Sequence, residues 1–271
     1  MGLDWIDPND YSFNAFLLME RFQIRLMLDR GGWRNNTEDW KRNMGIALNA
    51  NPAVKWYLSH RCPECTAVID ELAANSLPST DAQQIRSAEM YALSSVEDFT
   101  IYTTPELMAE KCDFIRGWNK QRLFDLADLT GKVVLDVGAG SGRLTFAAAE
   151  KAAWVYASEP VGTLREFIRD KIKGEGIENV RVLDGLVTEL PFPDDTFDVV
   201  MSGHIVGDEY ERELAELTRV CKSGGWILDC PGDSMHDMSP WADALSHGFE
   251  MIQYVGSFGK DVCCYRKQAN K

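Results

Sequence analysis

The glycine-rich segment from Asp136 to Gly142 has the residue types and spacing best suited to chemistry. It reads Asp-x-Gly-x-Gly-x-Gly and follows the apolar run Val133–Leu135. Glycines let the backbone approach a ligand closely, and a helix that follows such a turn offers free N–H groups. A dinucleotide-binding turn needs a small residue at the next position, whereas Arg143 stands there. The spacing therefore disfavours NAD as the ligand.

This segment resembles motif I of the class I S-adenosylmethionine-dependent methyltransferases. Other features resemble that family in the same order: Glu159, Asp184 with the turn Leu190–Phe192, and the turn Lys222–Gly225, which has Ser where the family has Pro. The resemblance covers roughly residues 118–232 well and the C-terminus loosely. It implies a transferase that takes S-adenosylmethionine as cofactor and releases S-adenosylhomocysteine.

The resemblance also implies roles for individual residues. Glu159 would accept hydrogen bonds from both ribose hydroxyls, although on spacing alone it could be a solvated loop residue. Asp184 would accept a hydrogen bond from the adenine amino group, and backbone at Ser202 and Gly203 would line the methionyl part. The residues predicted to contact the cofactor are Asp136, Gly138, Ala139, Gly140, Gly142, Glu159, Pro160, Asp184, Gly185, Leu186, Ser202 and Gly203.

The acceptor side is less defined. The turn Ser202–Ile205 lacks the Asn/Asp-Pro-Pro-Tyr sequence of enzymes that methylate planar amino groups, and it lacks the nucleophilic Cys of C5 enzymes. Oxygen, sulfur, aliphatic nitrogen and activated carbon acceptors therefore remain open. His204 is predicted as the catalytic base because imidazole titrates near neutral pH. The alternative is that His204 packs against the cofactor or caps the next helix.

A second group of reactive side chains is His60, Cys62 and Cys65. A Cys-x-x-Cys supplies half of a zinc site, and His60 would be a third ligand. The sequence holds no second Cys-x-x-Cys, and free cysteines are also ordinary core residues. We therefore predict no metal site and keep these three residues as weak candidates.

The net charge of −14 bears on the partners of the protein. The chain carries 42 acidic and 28 basic side chains and no Lys/Arg-rich run, so nucleic acid is disfavoured as a substrate. No apolar run approaches the length of a membrane span, and residues 1–10 lack a signal-peptide core. Seven cysteines favour a reduced compartment. We expect a cytoplasmic protein with a small-molecule substrate and no membrane partner; the oligomeric state is not predicted.

Two regions differ in pattern. Residues 1–116 have helical periodicity and are predicted to form a domain that covers the acceptor, whereas residues 117–271 alternate strands with helices. The second region predicts an α/β fold: a doubly wound, mostly parallel seven-stranded sheet that ends in an antiparallel hairpin. The predicted strands are 132–137, 154–158, 180–183, 197–202 and 225–230, with a hairpin over 249–257 and 261–266. The predicted helices include 13–29, 37–49, 53–59, 65–74, a helix over 104–126 with a break allowed at Gly117, and 142–151, 163–173 and 209–220.

These patterns predict a methyltransferase that acts on a small molecule. Two other functions remain open. One is a non-catalytic module that binds S-adenosylmethionine and contacts a protein partner. The other is a methyltransferase directed at thiols or metalloids that uses Cys62 and Cys65.

Overall fold

The chain divides into two units, Met1–Met108 and Ala109–Lys271, so the boundary precedes the predicted one at 116/117. The computed structural model describes residues 5–29, 37–203, 205–207 and 209–271. Gly31-Gly32, which punctuates the helical pattern of residues 1–116 in the sequence, lies outside the described residues. Among the described residues, no helix is long and apolar enough to cross a membrane.

Helices dominate the described part of the first unit. Thr37 caps the second of them, because its hydroxyl oxygen accepts a hydrogen bond from Trp40 N at 3.1 Å. Asp81 caps the fifth in the same way through Gln83 N at 2.9 Å. The helices in chain order are α1 (Arg21–Asp29), α2 (Glu38–Ala50), α3 (Pro52–Arg61), α4 (Thr66–Ala74), α5 (Ala82–Ser95), α6 (Glu97–Thr100) and α7 (Pro105–Lys111), the last of which crosses the boundary. Large buried side chains of this unit include Phe13, Phe16, Met44, Leu48, Leu58 and Leu93.

The single helix predicted over 13–29 is wrong. A 3-10 turn, Phe13–Leu18, precedes α1, and Met19 between them is extended. The Tyr57 hydroxyl donates to Met19 O at 2.8 Å, and Gln23 Oε1 accepts from Glu20 N at 2.9 Å. These side chains satisfy backbone groups that a continuous helix would have paired internally.

The helix expected over 104–126 is also interrupted. Helix α7 ends at Lys111, and α8 (Gln121–Leu126) follows an irregular segment. Asp113 Oδ1 accepts from Phe114 N at 2.8 Å and Oδ2 accepts from Met235 N at 3.0 Å, while Gly117 adopts φ +71°. The Asp113 side chain therefore takes a backbone N–H that a continuous helix would pair internally, and its bond to distant Met235 N is a contact that local periodicity does not reveal.

The second unit contains a seven-stranded sheet in the order β3-β2-β1-β4-β5-β7-β6. Strands β1 to β5 are parallel, and β7 runs antiparallel to both β5 and β6. The predicted fold class is therefore confirmed. The strands are β1 (Val133–Val137), β2 (Trp154–Ser158), β3 (Val180–Leu183), β4 (Phe197–Ser202), β5 (Cys221–Asp229), β6 (Glu250–Val255) and β7 (Asp261–Gln268), with helices α9 (Arg143–Ala149), α10 (Gly162–Glu175), α11 (Tyr210–Val220) and α12 (Ala242–Ser246).

Helices cover both faces of the sheet. Val134 in β1 is buried in one apolar cluster with Leu126 of α8 and Leu144 of α9. Its neighbour Leu135 is buried in another cluster with Leu214 of α11. Because successive side chains of a strand point to opposite faces, both faces of β1 are buried, as a doubly wound sheet requires.

Strand β5 begins earlier than its predicted start at Gly225. Phe197 already pairs with Cys221, and the register then shifts before Val199 pairs with Trp226. Gly224 has φ +77° within this irregular stretch. The Lys222–Gly225 turn is thus a bulge inside the strand, which re-establishes pairing on both sides of it.

Candidate functional site

The carboxyl ends of β1, β2 and β4 converge at one edge of the sheet. Val137 pairs with Ser158 of β2 on one side and with Ser202 of β4 on the other. Strands β2 and β3 are added on one side of β1, whereas β4 and β5 are added on the other side, so the order of strands along the chain reverses between β1 and β4. Such switch points leave a crevice beyond the strand ends. The residues that follow these strands, Gly138, Glu159 and Gly203, therefore meet at the crevice.

The turn after β1 depends on its glycines. Gly138, Gly140 and Gly142 have φ values of +65°, +58° and +88°, a region that other residues rarely adopt. A Cβ on Gly138 would lie 2.6 Å from Ile205 Cγ2, and one on Gly142 would lie 2.4 Å from Phe146 Cε2. The turn is thus tight on both sides.

Three residues of this segment hold the turn and α9 to the sheet. Gly138 N and Ala139 N both donate to Ser158 O, at 2.8 and 3.1 Å. Asp136 is buried, and its Oδ2 accepts from the Thr145 hydroxyl at 2.6 Å. Burial raises the pKa of Asp136 to about 6, an effect that the Thr145 hydrogen bond opposes. The side chain of Asp136 therefore fastens α9 to β1.

Glu159 links β2 to the glycine turn. Its Oε2 accepts from Gly140 N and its Oε1 from Val161 N, both at 2.8 Å, and the residue is 4% exposed. Burial raises the pKa of this carboxyl to about 7, against the lowering effect of the two backbone N–H groups. Pro160 lies between Glu159 and Val161 and is half-buried. The structure therefore excludes a solvated loop position for Glu159.

Asp184 lies at the end of β3 and forms an ion pair. Arg165 Nη1 is 3.3 Å from Asp184 Oδ1, and the Asp184 side chain is 73% exposed. The same Nη1 donates to Glu159 O at 2.7 Å. Next to it, Gly185 O accepts from the Ser158 hydroxyl at 3.3 Å, and Leu186 is partly exposed. Arg165 thus connects the two acidic positions that the sequence predicts for the nucleoside.

The segment after β4 begins at Ser202 and Gly203. The Ser202 hydroxyl donates to Asp229 Oδ1 at 3.0 Å, so the Ser202 side chain faces β5. Further along, buried Glu213 accepts from Gly207 N at 2.7 Å and from Glu209 N at 3.2 Å. One carboxylate thereby holds the last residues of this segment to α11. His204, the predicted base, lies outside the described residues, as does Asp208.

The cysteine pair of the first unit is buried away from solvent. Cys62 Sγ lies 3.4 Å from Cys65 Sγ, and burial raises the pKa of Cys62 to about 12. His60 stacks on Trp56 with ring centroids 4.1 Å apart, and its Nδ1 bonds Trp56 O at 2.7 Å. Within the described ranges, His, Cys, Asp and Glu side chains form no group of three placed to hold a metal ion.

The central part of this sheet matches a known protein family. Residues 134–225, which contain the glycine turn, Glu159 and Asp184, match the family model for a methyltransferase domain. The predicted family is therefore confirmed for this part of the chain.

Curated relatives of the methyltransferase domain cover part of the chain. A demethylmenaquinone methyltransferase of Geobacillus stearothermophilus is 33% identical over 113 residues, 40% of this chain and 48% of its own. An uncharacterized methyltransferase of Geobacillus kaustophilus is 31% identical over 120 residues, 43% and 54% of the two chains. The chain spans about half the length of these relatives.

Solved structures agree on the fold. A SAM-dependent methyltransferase from Aquifex aeolicus superposes with a TM-score of 0.50 at 22% identity, covering 61% of this chain and 98% of its own. A protein from Methanococcus maripaludis gives 0.51 at 13% identity, covering 63% and 94%. At these identities the likeness supports the seven-stranded architecture alone.

The crevice of the methyltransferase domain fits the cofactor class that the family implies. A Cβ at Gly138 would clash with Ile205, and a Cβ at Gly142 would clash with Phe146, so the turn requires glycine at both positions. The buried carboxylate of Glu159, whose pKa is raised, lies beside this turn. A carboxylate of this kind suits hydroxyl donors, since it lies out of water and gains from each added hydrogen bond. These residues would therefore suit the nucleoside half of S-adenosylmethionine.

Sequence reasoning missed Arg165 and Glu213. Arg165 lies near the start of α10 and donates a hydrogen bond to Glu159 O, just beyond the end of β2. The sequence signal for this contact is a basic residue that closely follows an acidic residue at a strand end. Glu213 lies in the first turn of α11, where acidic residues commonly cap backbone N–H groups. Both side chains act over short sequence distances.

Proposed function

We propose that this protein is an S-adenosylmethionine-dependent methyltransferase that acts on a small molecule. The observation that carries the proposal is Glu159, a buried carboxylate at the end of β2 hydrogen-bonded to Gly140 of the glycine turn. A charged group is buried at a cost, so its retention beside a ligand crevice suggests that it serves ligand binding. The matched methyltransferase domain supports the same reading.

The chain's own residues would bind and orient the reactants. Glu159 would accept the ribose hydroxyls, Asp184 would stand at the adenine end with Arg165 as its ion-pair partner, and Gly203 would lie at the methionyl end. S-adenosylmethionine would supply an activated methyl group on a sulfonium sulfur. The protein's remaining task is to hold an acceptor in line and to exclude water, which accounts for much of the rate in such reactions.

The nature of the acceptor is part of the proposal. We propose an oxygen, sulfur, aliphatic nitrogen or activated carbon acceptor, with His204 as the base. Use of Cys62 and Cys65 in the reaction is not supported, because burial raises the pKa of Cys62 to about 12 and keeps the thiol protonated. Curated relatives named demethylmenaquinone methyltransferase make a quinol a suitable member of any acceptor panel.

The first unit is proposed to serve acceptor recognition. The family match covers residues 134–225 and does not extend to the helical unit. A chain cut to residues 109–271 should then bind S-adenosylhomocysteine yet transfer no methyl group. Circular dichroism and a thermal unfolding curve would establish that the cut chain is folded. Full methyl transfer by a folded cut chain would contradict this role.

Two measurements test the proposed function. The intact protein should bind S-adenosylhomocysteine in a calorimeter and should transfer a labelled methyl group from S-adenosylmethionine to one member of a small-molecule panel. Binding without transfer to any acceptor would favour a non-catalytic binding module. Failure to bind would overturn the proposal.

A further inference from the structure

The two edge strands of the sheet, β3 and β6, differ in how their outer backbone groups are satisfied. In β3, the carbonyl of Leu183 bonds on the β2 side, so alternation directs the carbonyls of Val180 and Val182 outward. Arg181 Nη1 donates to Val180 O at 2.9 Å, and Arg169 Nη2 donates to Val182 O at 3.2 Å. Arginine side chains therefore occupy the outer carbonyls of β3.

Strand β6 has no comparable cover in the part of the chain that the structure describes. Gly256 N donates to Lys260 O at 2.7 Å across the β6–β7 ladder. Because hydrogen-bonded and non-hydrogen-bonded pairs alternate in an antiparallel ladder, the backbone groups of Met251, Gln253 and Val255 point away from β7. Among the described residues, Val255 O accepts from an arginine at 3.5 Å, and no hydrogen bond reaches the outer groups of Met251 or Gln253. The edge of β6 thus offers unpaired donors and acceptors.

The sequence of β6 also lacks the features that usually stop an edge strand from pairing with another chain. Its six residues pair with β7 without a bulge, include no proline and are uncharged from Met251 to Val255. The remaining residue, Glu250, is neutralised by Arg266, whose Nε lies 2.9 Å from the carboxylate. Gln253 is exposed, and Val255 is 71% exposed. Natural edge strands are commonly protected by charge, proline or a bulge, so β6 is open to another strand.

The strand that complements this edge is β6 of a second copy. Antiparallel pairing about a two-fold axis at Gln253 sets Met251 opposite Val255 of the second copy, so the outward-pointing residues form the hydrogen-bonded pairs. The same register sets Ile252 opposite Tyr254 of the second copy, in the closer, non-hydrogen-bonded position. Both side chains already pack against the apolar cluster that contains Leu126 of α8, so the pairing extends that apolar layer from one copy to the other.

Charge and symmetry favour the same arrangement. The net charge of −14 makes two copies repel each other, so a contact between them must bring uncharged segments together. In this register Glu250 lies opposite Gly256 of the second copy, and no two charged side chains face each other. A two-fold contact also closes on itself, because each copy uses its uncovered edge once and arginines occupy the outer carbonyls of β3.

We propose that this protein forms a two-fold homodimer in which antiparallel pairing of the β6 edges joins two sheets into one. The outer backbone groups of Met251, Gln253 and Val255 make the hydrogen bonds of the interface. The pairing lies at the far edge of the sheet from β3, and it requires no bound ligand.

Sedimentation velocity over a range of protein concentrations measures the association. The unaltered protein should show an equilibrium between monomer and dimer. Gln253→Lys sets two positive charges opposite each other at the axis, so it should weaken the dimer by at least about tenfold. The matched control is Gln268→Lys, since Gln268 is exposed, lies on β7 and pairs with Trp226 of β5 beyond the end of β6. This control should leave the association unchanged.

A mixing experiment tests the register. Gln253→Glu alone should weaken the dimer as Gln253→Lys does, whereas an equimolar mixture of the two variants should associate again, because opposite charges then meet at the axis. Circular dichroism should show the same folded content in every variant, which separates loss of pairing from unfolding. A mixture that stays monomeric would overturn the register at Gln253.

Three results would overturn the dimer itself. They are an unaltered protein that is monomeric at every concentration, an association that Gln253→Lys leaves intact, and growth beyond the dimer into open assemblies. The first of these needs no variant, so the proposal can fail even where a substitution prevents folding.

Discussion

The burial of Glu159 bears directly on both protein stability and cofactor binding. Burial raises the pKa of its carboxyl from the ordinary value of 4.5 to about 7. Each tenfold change in proton affinity corresponds to about 1.4 kcal/mol, so ionising this group in the folded protein costs on the order of 3 kcal/mol. Because the folded-state pKa is the higher one, the stability that Glu159 contributes is fully present below pH 4.5 and is lost as the pH rises through about 7.

The substitution Glu159→Gln removes this titration. Glutamine keeps one acceptor oxygen, so one of the N–H groups of Gly140 and Val161 loses its acceptor, at a cost of about 1–3 kcal/mol. The free energy of unfolding, measured by urea titration between pH 5 and pH 8, should therefore fall more steeply with pH in the unaltered protein than in the variant. The surface variant Glu166→Gln, from an exposed ion pair on α10, should reproduce the unaltered slope.

Ligand binding should respond to the same group. Ribose hydroxyls donate to the ionised carboxylate, so S-adenosylhomocysteine should bind more tightly as the pH rises towards 7 and should release part of a proton at pH 6.5. Calorimetry in buffers of different ionisation enthalpy measures that release. Glu159→Ala should weaken binding by at least about tenfold, since charged-acceptor hydrogen bonds contribute about 1.5–3 kcal/mol each. An unchanged affinity in the alanine variant, together with no proton release, would refute this reasoning.

Three further predictions concern the turn, an ion pair and the thiols. Gly138→Ala should destabilise the protein by about 1–3 kcal/mol more than Gly131→Ala in urea titrations, because both positions have positive φ but only the Cβ at 138 meets Ile205; equal losses would show that Ile205 gives way freely. Asp233→Asn should cost about 3 kcal/mol, since it disrupts a buried ion pair with Arg122, whereas Asp237→Asn in an exposed pair with Lys260 should cost less than about 1 kcal/mol; similar losses for the two variants would count against the buried pair. All seven cysteines are buried, so a thiol reagent at pH 8 should label them only after denaturation, and rapid labelling of the native protein would contradict their burial.

The parts of the fold that the sequence predicts are those decided by local pattern. The bounds of β2, β3 and β4 match their predicted ranges because short apolar runs between turn residues have few alternatives. The glycine turn was recognisable because its positive φ values demand glycine at fixed spacing. Glu159 was recognisable because the residue after the second strand must lie beside that turn.

The parts of the fold that the sequence did not predict depend on contacts between residues that are far apart along the chain. The interrupted segment before α8 is linked to Met235 N through the Asp113 side chain, and the early start of β5 follows from pairing of Cys221 with Phe197. The sequence marks Asp184 as acidic but does not reveal Arg165 as its partner. Tertiary partners of this kind leave no periodic trace in the chain.

Titration of the intact protein with S-adenosylhomocysteine, followed by NAD, tests the central claim most directly. The glycine turn with Arg143 behind it and Glu159 beside it predicts one binding site with measurable heat for S-adenosylhomocysteine and none for NAD. Heat from NAD with none from S-adenosylhomocysteine would contradict the proposed function and the role given to every residue of the crevice.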